Sequence, residues 1–118
     1  MPPEFRELGP SYRAANPEGV RQWLELEQKA LGSVLVRQRL GNAISAEKLN
    51  SLKIPTLLMT GDADLYTPPS LLRMVAAQIP NSEVVIVPET GHAIYWERPD
   101  VFNQVVLDFI GKDRKSVV

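Results

Sequence analysis

Apolar residues run along this chain in two rhythms. Behind Asn16-Pro17-Glu18 they recur at helical spacing (Val20, Trp23, Leu24, Leu31). That opening places a capping side chain, a proline at the first helical position and an acid in the first turn. Residues 56–60 (TLLMT) and 83–87 (EVVIV) are instead apolar at consecutive positions, the pattern of a strand covered on both faces. Between them Leu71, Leu72, Val75, Ala76 and Ile79 predict a helix that opens at Thr67-Pro68 and stops before Pro80. Residues 88–96 read as loop. Arg98-Pro99-Asp100 opens a last helix, with Val101, Phe102, Val105, Val106 and Phe109 inward and Gly111 at its end.

The first third is less regular. Pro2, Pro3, Pro10 and Pro17 break residues 1–17 into an irregular approach, in which Phe5 and Leu8 make at most one amphipathic turn. Gly32 interrupts the first long helix, and residues 33–40 predict a second one through Val34, Leu35 and Leu40. Ser45-Ala46-Glu47-Lys48 opens a short helix reaching Leu52. Ile54-Pro55 starts the first strand, where a missing backbone donor is tolerated. Met59 and Met74 are expected in the core. The division that follows is a helical segment, 1–52, and an α/β segment, 53–118, with a βαβα order.

A strand–helix–strand unit implies a parallel pair and a right-handed crossover. Ligands of such sheets gather outside the carboxyl ends of the strands. Asp64 and His92, the only histidine among 118 residues, both leave that end. Imidazole titrates near neutrality and can take and return a proton. A carboxylate on its other ring nitrogen holds the tautomer and stabilises the imidazolium that forms. Asp62 reads as a turn former, and a turn-capping role is the plain alternative for Asp64 as well. Tyr95 and Trp96, just after His92, are candidates to line a substrate pocket, with packing as their plain alternative. Trp23 and the Leu24–Leu31 stripe read as helix core.

Composition narrows the partners. Thirteen basic residues against fourteen acidic ones give a net charge of −1, which predicts no pull toward nucleic acid or an anionic membrane. Without cysteine there is no disulfide or thiolate metal site, and one histidine with one acid does not make a four-ligand metal site. No signal peptide is legible, and no apolar run approaches the roughly 20 residues that span a bilayer, so a cytoplasmic location is the default expectation. A nucleophile is missing from the text. None of the seven serines (Ser11, Ser33, Ser45, Ser51, Ser70, Ser82, Ser116) lies in Gly-x-Ser-x-Gly, and no glycine-rich phosphate loop is present.

The texts Ile54-Pro55-Thr56-Leu57-Leu58-Met59-Thr60-Gly61-Asp62-Ala63-Asp64, Thr67-Pro68, Val87-Pro88-Glu89-Thr90-Gly91-His92 and Glu97-Arg98-Pro99-Asp100-Val101-Phe102-Asn103 resemble, in order, the C-terminal part of α/β-hydrolase family proteins. The resemblance covers about residues 52–110. It implies a partial α/β-hydrolase fold, a βαβα unit with parallel strands preceded by cap-like helices over residues 5–40. It assigns the triad acid to Asp64 rather than Asp62, the triad base to His92, and packing roles to Glu97, Pro99 and Phe102. It implies hydrolysis of an ester, lactone or similar small acyl substrate without a cofactor.

Two strands alone do not make a stable sheet. The outer edge of the 54–60 strand would be bare and apolar, so two kinds of partner are expected. One is a complementary N-terminal hydrolase half carrying the nucleophile. The other is a second copy joined through the same edge, giving a non-catalytic binding or remnant protein. The chain alone is expected to be inactive.

Overall fold

The computed structural model describes residues 1–32 and 36–117. Proline sets the rhythm of its first part. Pro3, Pro10 and Pro17 each sit at the first helical position of α1 (Pro3–Glu7), α2 (Pro10–Ala15) and α3 (Pro17–Ala30). Residues 3–15 thus hold two short helices, where an irregular start and one amphipathic turn at Phe5 and Leu8 were expected. A proline there lacks only a donor that has no intrahelical partner anyway, and its fixed φ suits the helix. Asn16 caps α3 as foreseen, its side chain accepting from the Gly19 N–H at 2.9 Å.

The helix expected over 33–40 does not form where it can be checked. Residues 33–35 lie outside the described residues, and 36–40 carry no helix, with Leu40 90% exposed. Spacing alone cannot make a helix of a short apolar run that finds nothing to pack against. The next helix, α4 (Ala46–Asn50), starts at its expected cap, Ser45 accepting from the Lys48 N–H at 3.2 Å.

Strands β1 (Thr56–Gly61) and β2 (Ser82–Val87) pair in parallel, from Thr56 opposite Ser82 to Gly61 opposite Val87. Helix α5 (Pro69–Ala76) connects them. It begins one residue later than the text predicted, with Pro69 first and Pro68 at the cap. Its inward residue is Leu72, followed by the buried Ile79 beyond its end. Met74 is 67% exposed, not core, because it lies on the opposite face of α5.

Among the described residues the sheet consists of these two strands, so each has one unpaired edge. Leu57, Leu58 and Met59 are only half-buried, and Val84 is exposed. The consecutive apolar pattern is that of a doubly covered strand, but coverage comes from neighbours, not from the strand itself.

After β2 the expected loop contains a single helical turn, α6 (Ile94–Glu97). The last helix, α7 (Pro99–Val117), runs through Gly111 instead of stopping there. Gly111 has no positive φ, so it is not used as a helix stop. Val101, Phe102, Val105, Val106 and Phe109 form the half-buried face of α7, as its spacing predicted. Lys112 ties this helix to β2 through Glu83 at 2.9 Å. Among the described residues no helix is long and apolar enough to cross a membrane.

Burial is concentrated where the strands end. Leu8, Leu72, Ile79, Val87, Ala93 and Ile94 are buried, together with four polar residues, Thr60, Asp64, Thr90 and Glu97. Polar groups that deep need partners, and their partners define the site.

Candidate active site

Asp64 lies three residues beyond β1 and His92 five beyond β2. Parallel pairing in register brings the two turns side by side. Asp62 N–H donates to the Val87 carbonyl at 3.0 Å and Ala63 N–H to the Thr90 carbonyl at 2.9 Å. Gly61 is required at the crossing: a Cβ there would collide with the carbonyls of Thr90 and Gly91.

His92 Nδ1 lies 2.9 Å from Asp64 Oδ2. The other oxygen, Oδ1, accepts the backbone N–H groups of Tyr66 at 2.7 Å and Thr67 at 2.9 Å. Asp64 thus makes two kinds of contact: one oxygen caps its own turn and the other meets the histidine. Thr60 Oγ1 stands 3.0 Å from Oδ2 and 2.6 Å from the Thr67 carbonyl, so its single proton bridges the acid and its turn. Burial by itself would raise the pKa of Asp64. The N–H of Thr67, the His92 ring, the N–H of Tyr66 and the Thr60 hydroxyl outweigh it, and hold the carboxyl below the usual carboxylate range.

An ionised carboxylate only accepts, so Nδ1 carries the proton in this pair and Nε2 keeps its lone pair. The side chain of His92 is 42% exposed against 3% for Asp64, an acid fixed beneath an imidazole that meets solvent. The Tyr66 ring covers one side of that imidazole, centroids 4.8 Å apart at 51°. Sequence reasoning missed both Thr60 and Tyr66. Their signal was proximity to Asp64, four residues before and two after, which acquires meaning only once the turn closes.

The backbone carrying His92 is also held from the other end of the chain. The N–H groups of His92 and Ala93 donate to the Glu7 carbonyl at 3.1 and 3.0 Å. Leu8 is 1% exposed, and the backbone of Leu8 and Gly9 lies so close to Gly91 that a Cβ there would collide with it. Glu97, which the text offered only as a packing feature, is buried and accepts from Gly9 and Gly91.

Tyr95 and Trp96 lie elsewhere. With Tyr12, Asn16, Gly19 and Gln22 they line an open groove of about 510 Å³ between α6 and the α2–α3 pair. Asp64 and His92 are not among its lining residues. Tyr95 meets Phe102 edge-on at 6.2 Å, and Trp96 Nε1 is buried without a partner among the described residues. No cluster of three His, Cys, Asp or Glu side chains able to hold a metal ion occurs among the described residues.

An acid and a histidine thus meet at the tips of adjacent parallel strands of an α/β fold. Residues 10–99 match the family model of the alpha/beta hydrolase fold, and the chain belongs to that family. It is 34% identical over 65 residues to a 2-hydroxy-6-oxononadienedioate/2-hydroxy-6-oxononatrienedioate hydrolase of Paraburkholderia phymatum, covering 55% of this chain and 23% of that protein. To the hydrolase of the same name from Comamonas testosteroni it is 31% identical over 96 residues, 80% of this chain and 30% of that one. A thermophilic esterase from Thermogutta terrifontis, solved with malate bound, superposes with a TM-score of 0.76 at 25% identity, over 91% of this chain and 40% of the esterase. The chain thus spans 23–30% of the length of these curated relatives.

Proposed function

We propose that this chain supplies the acid and the base of a hydrolase triad acting on an ester, lactone or similar small acyl substrate. The carrying observation is the 2.9 Å contact between His92 Nδ1 and Asp64 Oδ2, with Oδ1 already occupied by two backbone donors. In this reading His92 Nε2 takes the proton of a nucleophile hydroxyl as it attacks the acyl carbon, and returns it to the leaving group. Asp64 holds the ring and offsets the imidazolium charge. In the second half-reaction the same nitrogen activates water. The hydroxyl comes from polypeptide outside these 118 residues, since Gly-x-Ser-x-Gly is absent from them. Similarity to an esterase supports the substrate class. Tyr95 and Trp96, which line a separate groove, are the proposed contacts to the distal part of the substrate.

The test is complementation. Alone, the chain should not turn over a p-nitrophenyl ester. Combined with a polypeptide bearing a strand followed by Gly-x-Ser-x-Gly from a neighbouring coding region, it should, and His92→Ala should remove the activity. Turnover by the chain alone, lost in His92→Ala, would overturn the division of labour.

A second reading has its own observation, the unpaired edge on each strand. Two copies joined there would form a non-catalytic assembly. Light scattering at micromolar concentration decides: a stable homodimer that no nucleophile-bearing polypeptide displaces favours this reading, and a monomer removes it.

A further inference from the structure

Glu97 is 7% exposed, an unusual place for a carboxylate. Its Oε1 accepts the N–H of Gly9 at 3.0 Å and that of Gly91 at 3.0 Å, and Oε2 lies 3.1 Å from the same Gly91 N–H. The next two amides, His92 and Ala93, donate to the Glu7 carbonyl. Three successive N–H groups centred on the histidine thus end on acceptors outside their own loop. Gly9 and Gly91 approach so closely that a Cβ on Gly9 would stand 2.7 Å from Gly91 N. An acceptor placed between two such donors must offer oxygen without a proton of its own. A carboxylate does this, at the cost of burying its charge, and charge-assisted bonds to backbone N–H offset part of that cost.

We propose that Glu97 is a positioning residue for His92. Through Gly91 N–H it fixes the backbone that carries the imidazole. Through Gly9 N–H it makes that placement depend on the N-terminal arm, residues 1–9, being seated. A glutamine at the same place keeps one acceptor but turns an N–H₂ toward the Gly91 N–H. Its effect should therefore fall between that of glutamate and that of alanine. The inference rests on the reading of His92 as the base, and the readout below separates the two.

His92 is the only histidine, so every imidazole resonance of the chain belongs to it. In the unaltered chain its Nδ1 proton, bonded to Asp64, should be seen by proton NMR and disappear in Asp64→Asn. In Glu97→Gln, with circular dichroism unchanged, that proton should exchange with solvent about tenfold faster, the effect of losing one hydrogen bond to a charged group. Glu97→Ala should exchange it faster still. An unchanged exchange rate in Glu97→Gln or Glu97→Ala, while Asp64→Asn removes the signal, sinks the positioning role and leaves the triad reading intact. Absence of the signal from the unaltered chain takes both down. Hydrogen exchange on the unaltered chain needs no variant. The amides of Gly9 and Gly91 should open together with the His92 Nδ1 proton. A long-lived Nδ1 proton beside freely exchanging Gly9 and Gly91 amides would refute the linkage, including where the variants fail to fold.

Discussion

Residues 36–50 and the turns at 60–64 and 87–97 use similar apolar side chains to opposite ends. In the first stretch Val36, Leu40 and Ile44 stand exposed. In the second, Val87, Ala93 and Ile94 are buried, and so are Thr60, Asp64, Thr90 and Glu97. Hydrophobicity does not separate the two. Closure of the backbone polar groups does: at the turns the N–H groups of Asp62, Ala63, His92 and Ala93 find acceptors across the chain, so apolar neighbours can close over them. Residues 7–9 belong by this measure with the turns, although they lie at the other end of the chain. Their carbonyl and amide groups complete the histidine loop.

The largest effect should come from the acid that meets the histidine. In the complemented enzyme Asp64→Asn should lower kcat by about four orders of magnitude, because the ring loses the acceptor that selects its tautomer. A steady-state assay at saturating ester measures it, and a loss below tenfold would contradict the assignment. Leu8→Ala should cost about 2–5 kcal/mol of stability in urea unfolding, the range for a fully buried leucine. Little change would mean that the N-terminal arm is not seated on the turns.

Acid and base titrations sharpen the comparison within the closed region, because its two buried acids shift in opposite directions. For Glu97, burial is the main cause; the N–H groups of Gly91 and Gly9 pull the other way, the Asp64 charge adds to the rise and Arg13 opposes it, and the net pKa is raised. A raised pKa means that the folded state holds the proton longer. The resulting stability is full below the ordinary glutamate pKa and is lost as pH rises through the folded value. The melting temperature of the unaltered chain should thus fall relative to Glu97→Gln as pH rises above the ordinary glutamate range. Asp64, with its pKa depressed, contributes stability above its ordinary value and loses it as pH falls through the folded one. Relative to Asp64→Asn, the unaltered chain should lose its advantage only in acid. Parallel melting curves for the unaltered chain and both variants would contradict this.

Smaller effects belong to the open region. Asn16→Ala removes the cap of α3 and should cost about 1 kcal/mol in the same unfolding experiment. Leu40→Ser should change stability by no more than about 0.5 kcal/mol, as for an exposed position. A larger loss would show that residues 36–50 are covered in solution.

Much of the site was legible before the structure. The positions of Asp64 and His92 followed from strand length, order and the rule that loops at the carboxyl ends of parallel strands lie together. The cap at Asn16 and the inward face of α7 followed from local rules. Thr60, Tyr66 and the clamp at Glu97 did not, because each gains its role from a partner brought close by folding. The two misjudged helices at the N-terminus have another cause: Pro3 and Pro10 carried the start signal used correctly at Pro17, but the segments behind them are too short to show a helical period.

By itself the sequence determined which segments become strands, where α3, α4 and α7 start, and that one acid and one histidine emerge at the same end of a parallel pair. These are short-range matters, decided by periodicity, proline and turn chemistry within a few residues. Tertiary structure alone decided that Asp64 both caps its turn and meets Nδ1, and that residues 7–9 seat the histidine loop. It also decided that the strands are only half covered. Each depends on contacts between residues far apart in the chain, and a distance of 2.9 Å between positions 28 apart is a property of the packed whole.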